Sequence, residues 1–234
     1  NIIINTAVAE ILRRYADRLE QAPQFNDELN LLIKEELTAH QRIIFNGNGY
    51  GEEWKQEASR RGLMNLPTLP DVMQYFVSKE SIALFAQHKI FTVQELQARA
   101  DIFLVNYCKV LRIEGLTMID MARKQIIPAG FDNIKALTEV AVGKQSLSLS
   151  VEYERKVIDH LSHLVEEISE NTETLQKLIS ESQSRENHQE KAEFYRDHVI
   201  PAMNQLRQAA DRLETEVGAK YWPYPVYSDL LFRI

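Results

Sequence analysis

The protein has 234 residues, of which 44% are apolar, and a formal net charge of -7, a composition typical of globular proteins. Lys and Arg number 27 against 34 Asp and Glu, which argues against a general nucleic-acid-binding protein, because such proteins need a basic face to replace phosphate counterions. Cys108 is the single cysteine, so an internal disulfide is excluded, and no apolar run approaches the roughly 20 residues that span a bilayer. These features predict a soluble, cytoplasmic protein.

Apolar residues recur every three or four positions along most of the chain, and strand-like alternation is rare. This periodicity predicts an all-α fold, namely a multi-helix domain with a long central helix and an antiparallel helical hairpin, as in a four-helix bundle. The sequence begins without a methionine and enters a helical pattern at once. We therefore expect it to be the tail of a longer protein.

The first two helices are placed by prolines and polar capping residues. A first helix is predicted from Asn5 to Gln21, ending before Pro23, because the residue that precedes a proline avoids helical geometry. Asn26 or Asp27 can cap a second helix, which is expected to reach residues 40–42.

A glycine-rich segment at residues 46–51 follows the second helix. A dinucleotide-binding loop needs G-x-G-x-x-G after a strand, and here both the spacing and the context fail, so a helix-breaking turn is predicted. A third helix is expected over residues 52–61, with Gly62 as its C-terminal cap. Further short helices are expected to open at Asp71 and at Ser78.

The most hydrophobic segment begins at Thr92, which forms a capping-box pattern with Glu95. Helical periodicity continues to Ile127 and is expected to stop at Pro128. Because apolar residues occur on most sides of this segment, it is predicted to be a buried central helix. Cys108 lies within it and is expected to be an inert, packed thiol.

Two amphipathic segments, residues 148–182 and 198–218, carry apolar residues at alternating steps of three and four. The short polar connection at residues 183–189 predicts that they form the antiparallel hairpin. Pro201 predicts a kink or a helix start in the second segment. Residues 151–193 carry most of the net negative charge, which is typical of a solvated face and alternatively of a docking surface for a basic partner.

The C-terminal tail, residues 221–227, contains four aromatic residues and two prolines, which predicts an extended conformation rather than a helix. Residues 229–232 add further apolar surface. We expect the tail to dock on its own domain in preference to a neighbouring molecule.

Candidate catalytic residues are few. His160 and His163 are three positions apart on one predicted helix and could present two imidazoles to a metal ion, although surface histidines are the favoured interpretation. No histidine has a glutamate three residues before it, as a di-iron bundle requires, and no serine lies in a G-x-S-x-G elbow. We therefore predict no catalytic, cofactor-binding or metal-binding residue in this chain.

Several segments carry a family resemblance. They are residues 1–20 (NIIINTAVAEILRRYADRLE), 43–66 (IIFNGNGYGEEWKQEASRRGLMNL), 106–107 (NY), 113–128 (IEGLTMIDMARKQIIP) and 222–232 (WPYPVYSDLLF). Together, and in this order, they resemble the C-terminal region of type III glutamine synthetases. The resemblance covers nearly the whole chain.

This resemblance implies a parent enzyme that condenses glutamate with ammonia through a γ-glutamyl phosphate, using ATP and Mg²⁺ or Mn²⁺, in a ring-shaped homo-oligomer. In the family, the metal-binding and phosphate-binding residues lie upstream of the part that resembles this chain, so none is assigned here and this piece alone is expected to be inactive. Its expected partners are the catalytic domain of the same chain and neighbouring subunits, with no nucleic acid and no membrane.

The resemblance also implies a domain organisation, with residues 1–22 as the last helix of the catalytic domain, residues 23–91 as a subregion of short helices, and residues 92–234 as a long-helix bundle with its tail. Two alternatives stay open at this point. One is a free-standing acidic helical interaction module, and the other is a metal enzyme built on His160 and His163.

Overall fold

The computed structural model describes residues 1–231, and within this range all regular structure is helical, which confirms the all-α prediction. The chain divides into two compact units, Asn1–Phe103 and Leu104–Ile234. The three-part organisation inferred from the family resemblance, with boundaries after residues 22 and 91, stays a prediction. Within residues 1–231, no helix is both long enough and apolar enough to cross a membrane.

The first unit consists of short and medium-length helices. They are α1 (Ile2–Glu20), α2 (Phe25–Ala39), α3 (Glu52–Arg60), α4 (Leu69–Phe76) and α5 (Lys79–Gln87), and a short 3₁₀ turn, Gln41–Ile43, follows α2. The first helix α1 contacts both α2 and α5, and α4 contacts α5.

Two predicted helix starts were wrong. The N-cap of α2 is Gln24, whose side chain makes no capping bond, and Asp27 lies in the first turn, where its carboxylate faces the positive end of the helix dipole. The N-cap of α4 is Thr68 rather than Asp71, and these two residues form a reciprocal capping box. In each helix the predicted cap lies one turn too late, because an acidic residue stabilises the first turn as well as the cap.

The predicted termini at Gly62, Ser78 and Thr92 are confirmed, whereas α1 begins at Ile2 and not at the predicted Asn5. Gly62 follows α3 with a φ of 67°, a left-handed conformation that glycine adopts without steric cost. The hydroxyl of Ser78 accepts a 3.2 Å hydrogen bond from the Ser81 amide at the start of α5. At the next helix, α6 (Val93–Met121), the Thr92 amide donates to Glu95 at 2.8 Å, which completes the predicted capping box.

The helical path does not end at Pro128, contrary to the prediction. A π-turn, Ala122–Ile126, leads directly from α6 into α7 (Ile127–Ser146). Proline lacks an amide hydrogen and crowds the carbonyl four residues before it, and the wider π-turn is a known way for a helix to absorb such a defect.

The same arrangement recurs later in the chain. Here α9 (His188–Phe194) passes through a second π-turn, Tyr195–Val199, into α10 (Ile200–Glu216). Each π-turn precedes an Ile-Pro-Ala tripeptide. The regular α10 begins at Ile200, beside Pro201, but it continues the helical path through the π-turn, and the second leg of the hairpin begins at His188 and not at the predicted His198.

The prediction that α6 is buried on most sides was wrong. Its buried face consists of residues four positions apart, among them Leu96, Ala100, Leu104 and Cys108. The apolar side chains on its other sides are exposed, namely Ile102, Phe103, Val105, Val110 and Ile113. Periodicity locates apolar residues around a helix, but it does not reveal whether anything covers them.

The core of the second unit is α8 (Glu152–Ser182), which packs against both α7 and α10. Short connections join α8 to each neighbour along the chain, so the pairs are antiparallel and the predicted hairpin is present. The buried side chains of α8 follow the predicted seam: Leu161, Val165, Ile168, Thr172, Leu175 and Ile179. A Cβ atom on Gly130 of α7 would lie 2.6 Å from Cγ2 of Val165, so the α7–α8 contact depends on this glycine.

The C-terminal tail lies against its own unit, as expected. The Tyr224 hydroxyl donates a hydrogen bond to Gln125, and the rings of Trp222 and Tyr224 pack edge to face with centroids 6.1 Å apart. A short helix, α11 (Tyr227–Leu231), follows, so the prediction of an extended chain fails at residue 227. The predicted apolar contribution of Phe232 lies outside the described residues.

Candidate functional site

The helix α1 has its apolar face turned towards solvent. Four exposed side chains on this face form what we call the α1 surface, and each is between 42 and 66% exposed: Ile4, Val8, Ile11 and Leu12. The buried residues of α1 are instead polar, Thr6 at 5% and Glu10 at 4% exposure. An amphipathic helix normally buries its apolar stripe, so the orientation of α1 is inverted relative to the usual arrangement.

A polar cluster around Glu10 accounts for this orientation. The Glu10 carboxylate accepts two hydrogen bonds from Arg13, at 3.0 and 3.1 Å, and one from Arg14 at 2.6 Å. From α5 it is approached by Gln87 Nε2 at 3.2 Å and by His88 Nε2 at 2.8 Å. The hydrogen bonds from Arg13, Arg14 and His88, in that order of size, lower the pKa of Glu10 from 4.5 to about 2.

An ionised Glu10 determines the hydrogen-bonding state of its histidine neighbour. A carboxylate can only accept hydrogen bonds, so Nε2 of His88 carries the hydrogen that lies between the two side chains. The cluster therefore connects α1 to α5 by charge-assisted hydrogen bonds, which are shorter and stronger than neutral ones.

A second charged contact ties the other end of α1 to α2. The Arg18 guanidinium donates to Glu35 at 2.6 Å and to Glu28 at 2.5 Å, and these carboxylates raise the pKa of Arg18, with Glu35 the larger influence. Polar contacts thus hold α1 on two sides, and its apolar face stays uncovered.

A second exposed apolar feature lies at the first turn of α1. Ile2 and Ile3 border an open groove of about 320 Å³ whose other walls include the rings of Phe76, Phe91 and Phe103. Contiguous exposed apolar surface on a soluble protein marks a site of interaction. The α1 surface and this groove together form the candidate functional site of the first unit.

The glycine-rich segment at residues 46–51 forms a turn without a preceding strand. The ring of Phe45 packs on Trp54 with centroids 4.6 Å apart, and a Cβ atom on Gly47 would lie only 2.5 Å from the Phe45 ring. Arg61 donates to the carbonyl oxygen of Ile44 at 2.6 Å, which fastens the segment to the end of α3. The segment is therefore a turn, as the sequence predicted, and it packs against the start and the end of α3, while Tyr50 at its tip is fully exposed.

The histidines considered for metal binding lie on the exposed side of α8. The His163 ring lies 3.5 Å from Glu166 and 3.8 Å from Asp159, both on the same helix. Within residues 1–231, no group of three or more His, Cys, Asp or Glu side chains is placed to hold a metal ion. The described residues thus supply no donor set for the divalent metal that the family resemblance implies.

Cys108 is buried and unpaired with any other cysteine. Burial raises the pKa of its thiol, and the Lys191 ammonium acts in the opposite direction. A thiol with a raised pKa is a poor nucleophile at neutral pH, as expected for a packed cysteine.

Sequence reasoning missed two features of this structure. It did not foresee that Glu10 would be a buried residue of α1. It also missed a basic groove in the second unit, where Lys109 and Arg112 on α6 meet Lys191 on α9. No sequence signal links these cations, because they lie about 80 residues apart in the chain.

Comparison with known proteins identifies the family. Residues 28–145, about half of the chain, match the glutamine synthetase C-terminal domain. The chain is 38% identical to a glutamine synthetase of Butyrivibrio fibrisolvens, over 90% of this chain and 30% of that protein. It is 32% identical to a Type-3 glutamine synthetase of Dictyostelium discoideum and 32% identical to a glutamine synthetase of Bacteroides fragilis, in each case over 99% of this chain and 33% of the relative.

The chain thus spans about a third of the length of the curated relatives it matches. The resemblance drawn from the sequence segments is confirmed by these matches, which cover the helices of both compact units. The chain belongs to the glutamine synthetase C-terminal domain family.

Proposed function

We propose that this chain is the noncatalytic C-terminal region of a type III glutamine synthetase, and that it packs against the catalytic domain of its own chain and against neighbouring subunits. The parent enzyme would ligate glutamate and ammonia at the expense of ATP in the cytoplasm. Assignment to type III is supported by the Dictyostelium discoideum relative, which carries that name and aligns with 99% of this chain.

The α1 surface is the observation that carries this proposal. Four aliphatic side chains on one face of α1, Ile4, Val8, Ile11 and Leu12, are exposed, while the carboxylate of Glu10 is buried on the other side of the helix. Burial of apolar surface contributes about 25 cal/mol per Å², so covering this face would stabilise a complex substantially. Since about two thirds of each relative lies outside the aligned region, the remainder of the same polypeptide is the partner that best fits the α1 surface.

The chemistry of the parent enzyme is proposed to reside outside this chain. ATP and Mg²⁺ or Mn²⁺ would be held by the remaining two thirds of the enzyme, and no residue of this chain is assigned to them. This part of the proposal is supported by the absence, among residues 1–231, of a clustered set of metal donors.

The packing role is tested in the full-length enzyme with the double variant Ile4→Asp and Leu12→Asp. We expect the variant to dissociate partly into smaller species in sedimentation velocity and to unfold at a lower temperature, because two charges would be placed in an apolar contact. The matched control is Gln176→Asp on the exposed side of α8, which should sediment as the wild type does. A double variant that assembles and melts like the wild type would refute the packing role.

The noncatalytic role is tested with the chain alone. Purified without the remainder of the enzyme, it should form no glutamine from glutamate, ammonia and ATP with either Mg²⁺ or Mn²⁺. The full-length enzyme assayed in parallel is the positive control. Turnover by the isolated chain that survives repeated purification would refute this role.

A further inference from the structure

An open groove of about 290 Å³ in the second unit gathers positive charge from two helices. Lys109 and Arg112 of α6 line one side, and His188 and Lys191 of α9 line the other. None of the residues that line this groove is an Asp or a Glu. In a protein with a formal net charge of -7, such a local excess of cations is unexpected.

The groove is built on an ordered polar base. Gln183 and Tyr195 lie at its edge, and the buried hydroxyl of Ser182 lies 3.0 Å from the Tyr195 oxygen. Gln183 donates to the Ser182 hydroxyl at 2.9 Å, and Ser182 and Tyr195 are both fully buried. These contacts join the end of α8 to the π-turn after α9, so the relative positions of the groove walls are determined by packed residues.

About half of the other Lys and Arg side chains in the described residues form ion pairs with carboxylates, whereas the three Lys and Arg residues of the groove form none. Arg13, Arg18, Arg61 and Lys144, for example, all form ion pairs with carboxylates. Within the described residues, Lys109, Arg112 and Lys191 form none. Like charges that converge on a groove with low-dielectric walls repel one another and attract anions, so an anionic ligand would relieve the repulsion.

We propose that this groove binds a small phosphorylated molecule through its phosphate groups. A phosphate monoester carries a charge of about -1.5 to -2 at neutral pH, which matches three cations better than the single charge of a carboxylate does. The planar guanidinium of Arg112 can bind two phosphate oxygens at once, and the lysines act as point charges.

The size and the walls of the groove define the ligand further. Its volume lies at the lower limit of the roughly 300–1,000 Å³ found for small-molecule sites, which favours a small metabolite. Val105 and the Cys108 side chain add apolar wall, against which the carbon part of a phosphate ester can pack. A nucleic-acid polymer fits poorly, because the acidic surface of the rest of the chain would repel its backbone.

The proposal is tested by isothermal titration calorimetry of pyrophosphate into the full 234-residue chain at low salt. We expect saturable binding of one pyrophosphate per chain that weakens as NaCl is added. Arg112→Gln and Lys191→Gln should each weaken binding by about tenfold, since each removes one charge-assisted contact. The matched control is Lys156→Gln, whose side chain is exposed about 40 Å away along α8 and which should bind as the wild type does.

Three outcomes would overturn the proposal. The first is the absence of saturable heat at millimolar pyrophosphate, and the second is wild-type affinity in both groove variants. The third is a loss of pyrophosphate affinity in Lys156→Gln as large as that in Arg112→Gln, because the affinity would then depend on the overall charge of the chain and not on the groove. Circular dichroism of each variant confirms that helicity is retained, and the exposed positions of Lys109 and Arg112 make a folding defect in the groove unexpected.

Discussion

Glu10 illustrates how a single buried charge can determine the orientation of a helix. Its carboxylate is 4% exposed and stays ionised because Arg13, Arg14 and His88 all donate hydrogen bonds to it. Burying an isolated charge costs a large free energy, whereas a buried charge that several partners hydrogen-bond is tolerated. Removing those partners is strongly destabilising, because the charge is then buried without compensation. The polar face of α1 is therefore retained inside, and its apolar residues are placed outside.

The first prediction concerns the pH dependence that Glu10 causes. Its pKa is about 2 in the folded chain against 4.5 for the unperturbed group, so its stabilising contribution is complete above pH 4.5 and is lost as the pH falls towards 2. Glu10→Gln should unfold at a lower temperature than the wild type at pH 7, measured by circular dichroism. The difference in unfolding temperature between the two proteins should shrink as the pH falls from 4.5 to 2. The control Glu173→Gln removes an exposed carboxylate of α8 and should change neither quantity. A pH-independent difference between Glu10→Gln and the wild type would contradict the argument.

The second prediction compares two glycines of α7. At Gly130 a Cβ atom would lie 2.6 Å from Cγ2 of Val165, a buried β-branched side chain that cannot easily move. Overpacking of about 1–3 kcal/mol is opposed by a helix-propensity gain of about 1 kcal/mol, so Gly130→Ala should destabilise the chain by up to about 2 kcal/mol. At Gly143 no atom lies within 4 Å of an added Cβ, so Gly143→Ala should stabilise by about 0.5 kcal/mol. Urea denaturation measures both, and equal signs for the two variants would contradict the packing argument.

Among the helical elements, α7 and α10 show how a proline within a continuous helical path is accommodated. At both Ile-Pro-Ala tripeptides a π-turn of five residues comes before the proline, and the helical path continues on its far side. The π-turns lie where α7 and α10 begin their contacts with α8. Tertiary packing against α8 therefore retains helical structure that the prolines alone would interrupt.

The third prediction tests the seam of α8. Ile168 is completely buried, so Ile168→Ala should lower the free energy of unfolding by about 2–5 kcal/mol through lost burial and a residual cavity. The control is Val142→Ala on α7, where the side chain is exposed and the expected change is within about 0.5 kcal/mol. Guanidinium denaturation of the two variants gives the comparison. If both variants lost a similar free energy of unfolding, the buried seam of α8 would not be the main source of stability.

For the whole molecule, the distribution of apolar surface matters more than its total amount. The net charge of -7 favours solubility, yet the α1 surface and several side chains of α6 remain uncovered. The chain spans about a third of the length of its relatives, and under the proposed function the α1 surface would contact the remainder of the enzyme.

The fourth prediction concerns the chain in isolation. With the α1 surface uncovered, the chain should self-associate as its concentration rises, and sedimentation velocity should reveal dimers or larger species. The double variant Ile4→Asp and Leu12→Asp should remain monomeric under the same conditions, whereas Gln176→Asp should associate like the wild type. A wild-type chain that stays monomeric at every concentration would show that the α1 surface does not drive association.

The amino-acid sequence by itself determined the helical class, the hairpin seam, the caps at Ser78 and Thr92, the end of α3 at Gly62 and the membership of the glutamine synthetase family. Each of these depends on neighbours within a few residues, or on short segments that resemble known relatives. Helical periodicity, capping bonds and the left-handed glycine are local properties, so a sequence carries them directly.

Only the tertiary structure decided which face of α1 is buried, how far α6 is covered, that the helical path continues past Pro128, and that Lys109, Arg112 and Lys191 share one groove. The physical reason is the same in each case. Whether an apolar stripe is covered, a proline is tolerated or distant cations converge depends on contacts between elements far apart in the chain, and those contacts form only when the helices pack.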